Sequence, residues 1–308
     1  MVLHFKKQAG KEPAYAITRD NVESLLGRRA PWFKQGRERD DDRHFAVCPY
    51  CNNPIQLKGV YVRKDNSPRA YGSHSGTAVD GFPFNAEDLA FCPYKLKRKS
   101  LDKSARRTEL GSVARQLIAM AVAEFDRVVL VLRDDFGFRF SNPFARKMLE
   151  QWFDSRGYLY EGAHLRNLPW MIAYFGPAQT LYGQRVGDTG DLAQAIRRAV
   201  PQADIVDGQL REKERKRSFF RIDLQCLHHR VLLDDESGHL TEHMRLRVQD
   251  FTKTNDPEEA PLIYEKTIEF DPDRFERLLH TAPDRARRDE NLLMVARDVA
   301  MRKGFGDA

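Results

Sequence analysis

The sequence has few cysteines, no long apolar run and no glycine-rich phosphate loop. Cysteine accounts for only 4 of 308 residues, too few for the disulfide framework of a secreted domain, so we expect reduced thiols and a cytoplasmic protein. No apolar stretch approaches the roughly 20 residues that span a bilayer, and the chain start has no apolar segment of the signal-peptide kind. The spacings Gly-x-Gly-x-x-Gly and Gly-x-x-x-x-Gly-Lys are both absent, so nothing indicates a nucleotide-binding loop.

The composition is otherwise that of a globular protein with a moderate positive charge. Hydrophobic residues make up 41% of the chain and charged residues 31%, with a formal net charge of +6. A chain of this length forms one large domain or two smaller ones and can bury a core.

Three of the four cysteines lie in the stretch 43–99, where the tripeptide Cys-Pro-Tyr occurs twice. Cys48 and Cys51 form a Cys-x-x-Cys turn, which supplies two thiolates to a tetrahedral zinc ion. Cys92 begins the second copy, and Lys95 stands where its second cysteine would be. Both copies follow a strand-like apolar triplet, so we expect two similar knuckles that face each other. His74 is the natural fourth ligand, which predicts a structural zinc site of Cys48, Cys51, His74 and Cys92.

The spacing of these ligands leaves other interpretations open. The gaps of 22 residues from Cys51 to His74 and of 17 from His74 to Cys92 match no standard zinc finger. A reduced Cys-x-x-Cys pair with a buried third thiol is one alternative. A thioredoxin-type redox pair is another, but no βαβ pattern surrounds it. His44 is the reserve ligand if His74 does not bind.

The pattern of apolar residues predicts an α+β protein in three parts. Residues 1–43 form a polar, basic segment with a helix over 19–26, and residues 30–33 pack on the zinc module. Residues 44–99 form that module, a zinc-ribbon-like unit with a strand over 55–62 and a turn over 64–68.

Residues 108–308 form a mixed α/β domain with an antiparallel β segment and C-terminal helices. We expect helices over 108–125, after 142 and after 191, and buried strands at 128–132 and 168–175 between them. Three antiparallel strands follow at 219–233, 243–251 and 262–270, and two helices end the chain.

Residues 95–107 carry seven basic side chains against the single acid Asp102. Such a cluster after a zinc knuckle favours contact with the phosphates of a nucleic acid through counterion release. A solvated linker explains the same run equally well. The residues predicted to bind nucleic acid are Lys95, Lys97, Arg98, Lys99, Lys103, Arg106 and Arg107.

Two aspartates in the second half of the chain form a candidate catalytic site. Asp204 lies on a short strand, and Asp223 and Gln225 share one face of a following strand, because side chains two residues apart point the same way. Acids that converge from neighbouring strands bind Mg²⁺ in metal-dependent nucleases, where Gln225 would replace the usual lysine. An ordinary half-exposed antiparallel strand is the alternative. On the same strand, Cys226 is expected in the core with exposed histidines at 228 and 229.

Together these segments resemble the CoiA-type competence proteins, in which a Cys-x-x-Cys knuckle with a downstream histidine precedes a restriction-nuclease-like domain. The similarity rests on the knuckle with His74, on Asp204, and on Ile222-Asp223-Leu224-Gln225. This chain departs in having Cys92, a long spacing between knuckle and Asp204, and an aspartate at 223 where a glutamate is typical. The resemblance implies a function that involves DNA.

The sequence therefore predicts a zinc-containing nucleic-acid-binding protein, with DNA favoured over RNA, in a DNA-processing or defence system. A Mg²⁺-dependent nuclease of restriction-nuclease-like type is the first alternative. The second is a protein-interaction module in which zinc acts only as a structural staple.

Overall fold

The structure is a computed structural model that describes residues 1–38, 42–62, 69–95, 101–213, 219–234, 236–282 and 284–306. Helices are interspersed with short antiparallel sheets. The helices are α1 (Arg19–Leu25), α2 (Ala86–Ala90), α3 (Ser112–Ala123), α4 (Phe125–Phe136), α5 (Asn142–Asp154), α6 (Leu168–Phe175), α7 (Asp191–Ala199), α8 (Pro272–Leu279) and α9 (Glu290–Arg302). The strands are β1 (His4–Phe5), β2 (Tyr15–Ala16), β3 (Phe33–Lys34), β4 (Arg43–Val47), β5 (Pro54–Lys58), β6 (Tyr71–His74), β7 (Gln179–Thr180), β8 (Ala203–Val206), β9 (Gln209–Glu212), β10 (Ile222–Leu233), β11 (Leu240–Asp250) and β12 (Leu262–Glu269).

The N-terminal sheet has the strand order β3-β4-β5-β6, with every pair antiparallel. The β1-β2 hairpin joins it at two points. The backbone of Val2 pairs with Gly72, and Lys6 exchanges two hydrogen bonds of 2.8 and 2.9 Å with Val47. The β1-β2 hairpin is therefore hydrogen-bonded into the sheet that carries the cysteines. Of residues 30–33, Trp32 accepts a 2.7 Å hydrogen bond from Phe45 N–H and Phe33 pairs with His44, whereas Ala30 is exposed.

Helices α3, α4, α5, α6 and α9 pack against one another in the centre of the molecule. The predicted strands at 128–132 and 168–175 are wrong, because these residues lie in α4 and α6. Both are short apolar runs, and periodicity alone does not distinguish a short buried strand from part of a buried helix. In the run 128–132 only Leu130 is exposed. Residues 168–175 are all buried, so hydrophobicity alone did not reveal their helical turn.

The second sheet confirms the predicted antiparallel segment. Its order is β12-β11-β10-β7, and β11 pairs with β10 on one side and with β12 on the other. Strand β10 has a register shift between Leu227 and Arg230, where His228 adopts a left-handed backbone with φ of 56°. Strands β8 and β9 form a separate two-stranded sheet.

A contiguous hydrophobic core runs through these layers. It includes Phe5 of β1, Cys48 beside β4, Leu117 of α3, Leu246 of β11 and Val299 of α9. The predicted turn at 64–68 lies outside the described residues. Within the described part of the chain, no helix is long and apolar enough to cross a membrane.

Candidate metal centre

The four predicted metal ligands converge at one end of the N-terminal sheet. Cys48 and Cys51 occupy the turn between β4 and β5, which a 3.0 Å hydrogen bond from Asn52 N–H to the Cys48 carbonyl closes. Asn52 has a φ of 57°, a left-handed conformation that asparagine tolerates better than most residues. His74 ends β6 and lies opposite Ile55 of β5. Cys92 follows α2, so its approach is helical where the sequence suggested a strand.

The distances between ligand atoms fit a single tetrahedral ion. Cys48 Sγ lies 3.9 Å from Cys92 Sγ, and His74 Nε2 lies 3.4 Å from Cys51 Sγ and 3.6 Å from Cys92 Sγ. Bond lengths of about 2.3 Å to sulfur and about 2.05 Å to nitrogen give tetrahedral edges of about 3.8 Å and about 3.6 Å. All four atoms lie within 4.8 Å of one another, and the described residues hold no other such group of three or more His, Cys, Asp or Glu side chains.

The three ligand thiols are buried and differ in acidity. Burial opposes a charge on Cys48, but hydrogen bonds from the thiols of Cys51 and Cys92 and from backbone N–H groups lower the pKa of Cys48 well below its usual value. Burial raises the pKa of Cys51 and, well above its usual value, that of Cys92. Cys48 is thus the thiol of the cluster that ionises most readily. Three sulfurs and an imidazole complete a tetrahedron, so the shell has no open position for a substrate.

The two Cys-Pro-Tyr turns face each other, as predicted. Their tyrosines, Tyr50 and Tyr94, meet edge to face with ring centroids 5.1 Å apart. In the second turn Lys95 N–H donates a 2.7 Å hydrogen bond to the Cys92 carbonyl, so a lysine closes the turn without contributing a ligand.

Asparagines after the first turn tie the centre to the helices. Asn52 donates a 2.8 Å hydrogen bond to Gln116 of α3. Asn53 donates to the Cys51 carbonyl at 3.0 Å and accepts from Asn85 N–H at 2.9 Å, at the start of α2. The sequence did not single out Asn52 or Asn53, because neither is a metal ligand.

His44, the reserve ligand, does not take part in this cluster. It lies on β4, with its ring 5.0 Å from that of Phe33 and 5.5 Å from that of Tyr61. These aromatic contacts and its burial give His44 a packing role.

A buried polar network that the sequence did not reveal lies behind Tyr50. Glu242 of β11 contacts His164 Nε2 at 2.6 Å and His229 Nε2 at 3.1 Å, and accepts a 3.0 Å hydrogen bond from Asn167. Burial alone would raise the pKa of Glu242. The charge of His164 and the hydrogen bonds from both histidines outweigh that effect and lower the pKa well below its usual range. The His164 ring stands 5.0 Å from Tyr50, so the network adjoins the first cysteine turn.

The expectation of exposed histidines at 228 and 229 is half wrong. His228 is exposed, whereas His229 is 2% exposed. The bulge at His228 adds a residue to one strand, so that Cys226 and His229 both face inward. The sequence did contain one indication that Glu242 is buried. Glu242 stands two residues before Met244 on the same strand, so both side chains face the core.

The structure describes the predicted phosphate-binding run only in part. Lys97, Arg98 and Lys99 lie outside the described residues, and Lys95 is exposed. Arg107 is 3% exposed and donates a 2.6 Å hydrogen bond to the Ala163 carbonyl, so it cannot contact a phosphate.

Two further members of this run also make contacts within the chain. Arg106 donates to the Ser155 carbonyl at 2.8 and 3.1 Å. The Lys103 ammonium lies 4.6 Å from the Tyr174 ring centroid. These contacts attach the segment 103–107 to the helical layer, which the basic composition did not predict.

The candidate catalytic residues do not come from neighbouring strands. Asp204 lies on β8, which pairs with β9, and its carboxylate accepts a 2.8 Å bond from Ile205 N–H. Asp223 lies on β10 between β7 and β11, where Arg221 binds its carboxylate at 2.6 and 2.8 Å. Gln225 is half-buried opposite Arg247. The expected pairing of two acids across adjacent strands is wrong, because a separate hairpin carries Asp204.

Comparison with protein families, curated proteins and solved structures finds no match to this chain. The resemblance to CoiA-type competence proteins therefore stays a prediction. The fold and the metal centre define an α+β protein with a Cys₃His cluster suited to a structural metal.

Proposed function

We propose that this chain is a zinc-stabilised nucleic-acid-binding protein. The zinc ion is held by Cys48, Cys51, His74 and Cys92 and fixes the N-terminal sheet on the helical layer. Support comes from the donor set, because zinc prefers sulfur and imidazole ligands. The distances between these four ligand atoms also fit a tetrahedral zinc ion. The closed shell favours a structural role for the metal over a catalytic one.

The binding proposal rests on one observation, a set of basic side chains placed over aromatic rings around the N-terminal sheet. Cations and aromatic rings together suit a nucleic acid, since cations meet phosphates and rings stack on bases. The four pairs, with distances to the ring centroids, are Lys7 on Trp32 at 5.1 Å, Arg19 on Tyr61 at 5.4 Å, Arg28 on Phe33 at 5.4 Å and Lys34 on Phe45 at 5.7 Å.

The charge of this region agrees with the proposal. Residues 1–38 carry eight Lys or Arg against four Asp or Glu. Arg28 and Lys34 are exposed, in contrast to Arg107 of the run first assigned to phosphates.

The test is the salt dependence of binding to labelled DNA and RNA, measured by fluorescence anisotropy from low to moderate salt. We expect the affinity to fall steeply with salt. The double variant Arg28→Gln/Lys34→Gln should flatten the logarithmic slope by about 0.7–0.9 for each phosphate that the protein no longer neutralises. The matched control is Lys147→Gln/Arg287→Gln, which removes two exposed charges from α5 and the loop before α9.

Absence of nucleic-acid binding would contradict the proposal. If the folded, zinc-loaded protein binds neither DNA nor RNA at low salt, the proposal fails. The zinc module would then serve as a staple in a protein that binds another polypeptide.

A further inference from the structure

A cleft opens between the N-terminal hairpin and the loop that follows β6. Its volume is about 390 Å³, within the roughly 300–1,000 Å³ of small-molecule sites. Lys7 is the one charged residue among those that line it. The lining residues are Lys7, Gln8, Ala9, Pro31, Trp32, Val47, Gly81, Phe82 and Pro83.

One wall of the cleft depends on the close approach of Gly81 to Pro31. Gly81 has a φ of 81°, and a Cβ added to it would lie 2.4 Å from the Pro31 Cβ. A larger residue at position 81 therefore pushes this wall away. The next residue is held as well, because Phe82 N–H donates a 3.0 Å hydrogen bond to the Val79 carbonyl.

Trp32 is held in a fixed orientation at the cleft. Its indole N–H donates a 2.9 Å hydrogen bond to the Lys7 carbonyl, and the Lys7 ammonium lies 5.1 Å from its ring centroid. The ring is half-buried, so part of it faces solvent. An aromatic plane with a cation beside it is thus present before any ligand arrives.

The ring of Phe82 also lies near a buried ring beyond the cleft. The Phe82 ring lies 6.5 Å from that of Phe45, over which the Lys34 ammonium stands at 5.7 Å. Phe45 itself is only 7% exposed, so the half-buried rings of Trp32 and Phe82 are the ones offered to a ligand, with Lys7 and Lys34 as the neighbouring cations. Basic side chains beside aromatic rings are the combination by which proteins bind unpaired strands.

We infer that this cleft binds an unpaired nucleobase of a single-stranded nucleic acid, with Trp32 and Phe82 against the base and Lys7 and Lys34 at the phosphates. The inference rests on the proposed function. It narrows the ligand to single-stranded nucleic acid and places its binding site at this cleft. A paired base cannot enter, because its faces are covered by stacking and its edge by its partner. Sequence preference is weak here, since stacking accepts every base.

Tryptophan fluorescence tests the inference directly. Trp152 and Trp170 are 0% exposed, so Trp32 is the tryptophan that a ligand can reach. We expect a single-stranded oligonucleotide to quench the emission of the zinc-loaded protein, and to bind more tightly than a duplex of the same sequence.

The variant Trp32→Ala should weaken single-strand binding by about 5- to 150-fold, the range that removal of one stacked base produces, and should abolish the quenching. Tyr182→Ala is the matched control, because Tyr182 is an exposed aromatic residue on the loop after β7, outside the cleft. It should leave affinity and quenching unchanged. Zinc content and circular dichroism establish that both variants are folded, and Trp32→Phe should retain most of the affinity.

Two negative results separate the inference from the proposed function. If Trp32→Ala does not alter salt-dependent binding, or if the protein prefers duplex, binding of an unpaired base in the cleft is contradicted. The proposed function then remains in place. Absence of binding to single-stranded and duplex DNA and RNA at low salt overturns both.

Discussion

The four cysteines show how position decides the chemistry of one residue type. Cys226 is buried in β10, where burial raises the pKa of its thiol to about 12 and keeps it protonated. Cys48 is equally buried, but the neighbouring thiols and N–H groups lower its pKa. What suits the cysteines of the cluster to bind a cation is that their thiols and His74 Nε2 lie within 4.8 Å of one another and can share one ion.

Replacement of Cys92 by serine should remove the metal. The variant keeps the size of the side chain but lacks a thiolate, and we expect the zinc content to fall from about one ion per chain to near zero after dialysis against a mild chelator. Elemental analysis of the purified protein measures this. Cys226→Ser is the control and should retain its zinc, and zinc retained by Cys92→Ser would contradict the assigned ligand set.

Glu242 should make stability depend on pH in the acid range. Its folded pKa is depressed, so the carboxylate contributes stability above its unfolded pKa of about 4.3, and that contribution disappears as the pH falls towards the folded pKa. The Glu242→Gln protein lacks this group. We therefore expect the difference in free energy of unfolding between the two proteins to be largest near pH 6–7 and to shrink below about pH 4.3.

Denaturant titrations of both proteins at matched pH and zinc measure this difference. Loss of zinc at acid pH affects the two alike and cancels in the comparison. Glu265→Gln, on the exposed side of β12, is the control and should show a difference that is small at every pH. A difference for Glu242→Gln that does not change with pH would show that the carboxylate is not held in its charged form.

At the scale of elements, α2 shows why a five-residue helix is stable in this fold. Asn85 accepts a 2.7 Å hydrogen bond from Asp88 N–H and so caps the helix. Asp88 in turn caps α3, with its carboxylate accepting from Ser112 Oγ at 3.0 Å and Val113 N–H at 3.2 Å. The buried Arg107 lies 4.0 Å away. Helix α2 therefore links Cys92 to the helical layer.

Asp88→Ala should lower the free energy of unfolding by about 3–5 kcal/mol, because it removes both the cap of α3 and the carboxylate 4.0 Å from the buried Arg107. Chemical denaturation monitored by circular dichroism measures the change. The exposed cap Thr18, which accepts a 3.2 Å hydrogen bond from Asn21 N–H, provides a matched control. Its replacement by alanine should cost about 1 kcal/mol, and equal effects of the two variants would contradict the coupling role of Asp88.

Helix and strand assignments succeeded where a local sequence signal marks the element. Strands β10, β11 and β12 were predicted because polar and apolar residues alternate along them, and α5 because Ser141 and Pro143 mark its start. The residues of α6 are buried on all sides, which removes the periodic signal. The bulge at His228 changed which histidine faces inward, and nothing in the alternation predicts a bulge.

At the scale of the whole molecule, the metal centre joins segments that are distant along the chain. Its ligands come from the β4–β5 turn, from β6 and from the end of α2, and the surrounding core extends to α9. A single ion bound to all four ligands would therefore hold these three segments together.

The stability of the whole chain should rise with free zinc. An ion that binds the folded state alone stabilises it, and each tenfold increase above the dissociation constant adds about 1.4 kcal/mol to the free energy of unfolding. Thermal unfolding in buffered zinc series measures the dependence. Equal concentrations of Mg²⁺ should have no such effect, since thiolates select softer ions. Stability that is indifferent to zinc would argue against a metal-bound folded state.

The sequence by itself predicted which four side chains cluster, from a Cys-x-x-Cys turn, a repeated Cys-Pro-Tyr and one histidine between them. It also determined the antiparallel strands, whose alternation is a local property of the chain. The tertiary structure decided that 128–132 and 168–175 are helical, that Arg107 is buried and that Asp204 and Asp223 lie in different sheets. The physical reason is that the burial of a segment and the pairing of strands depend on residues far along the chain, which no local pattern records.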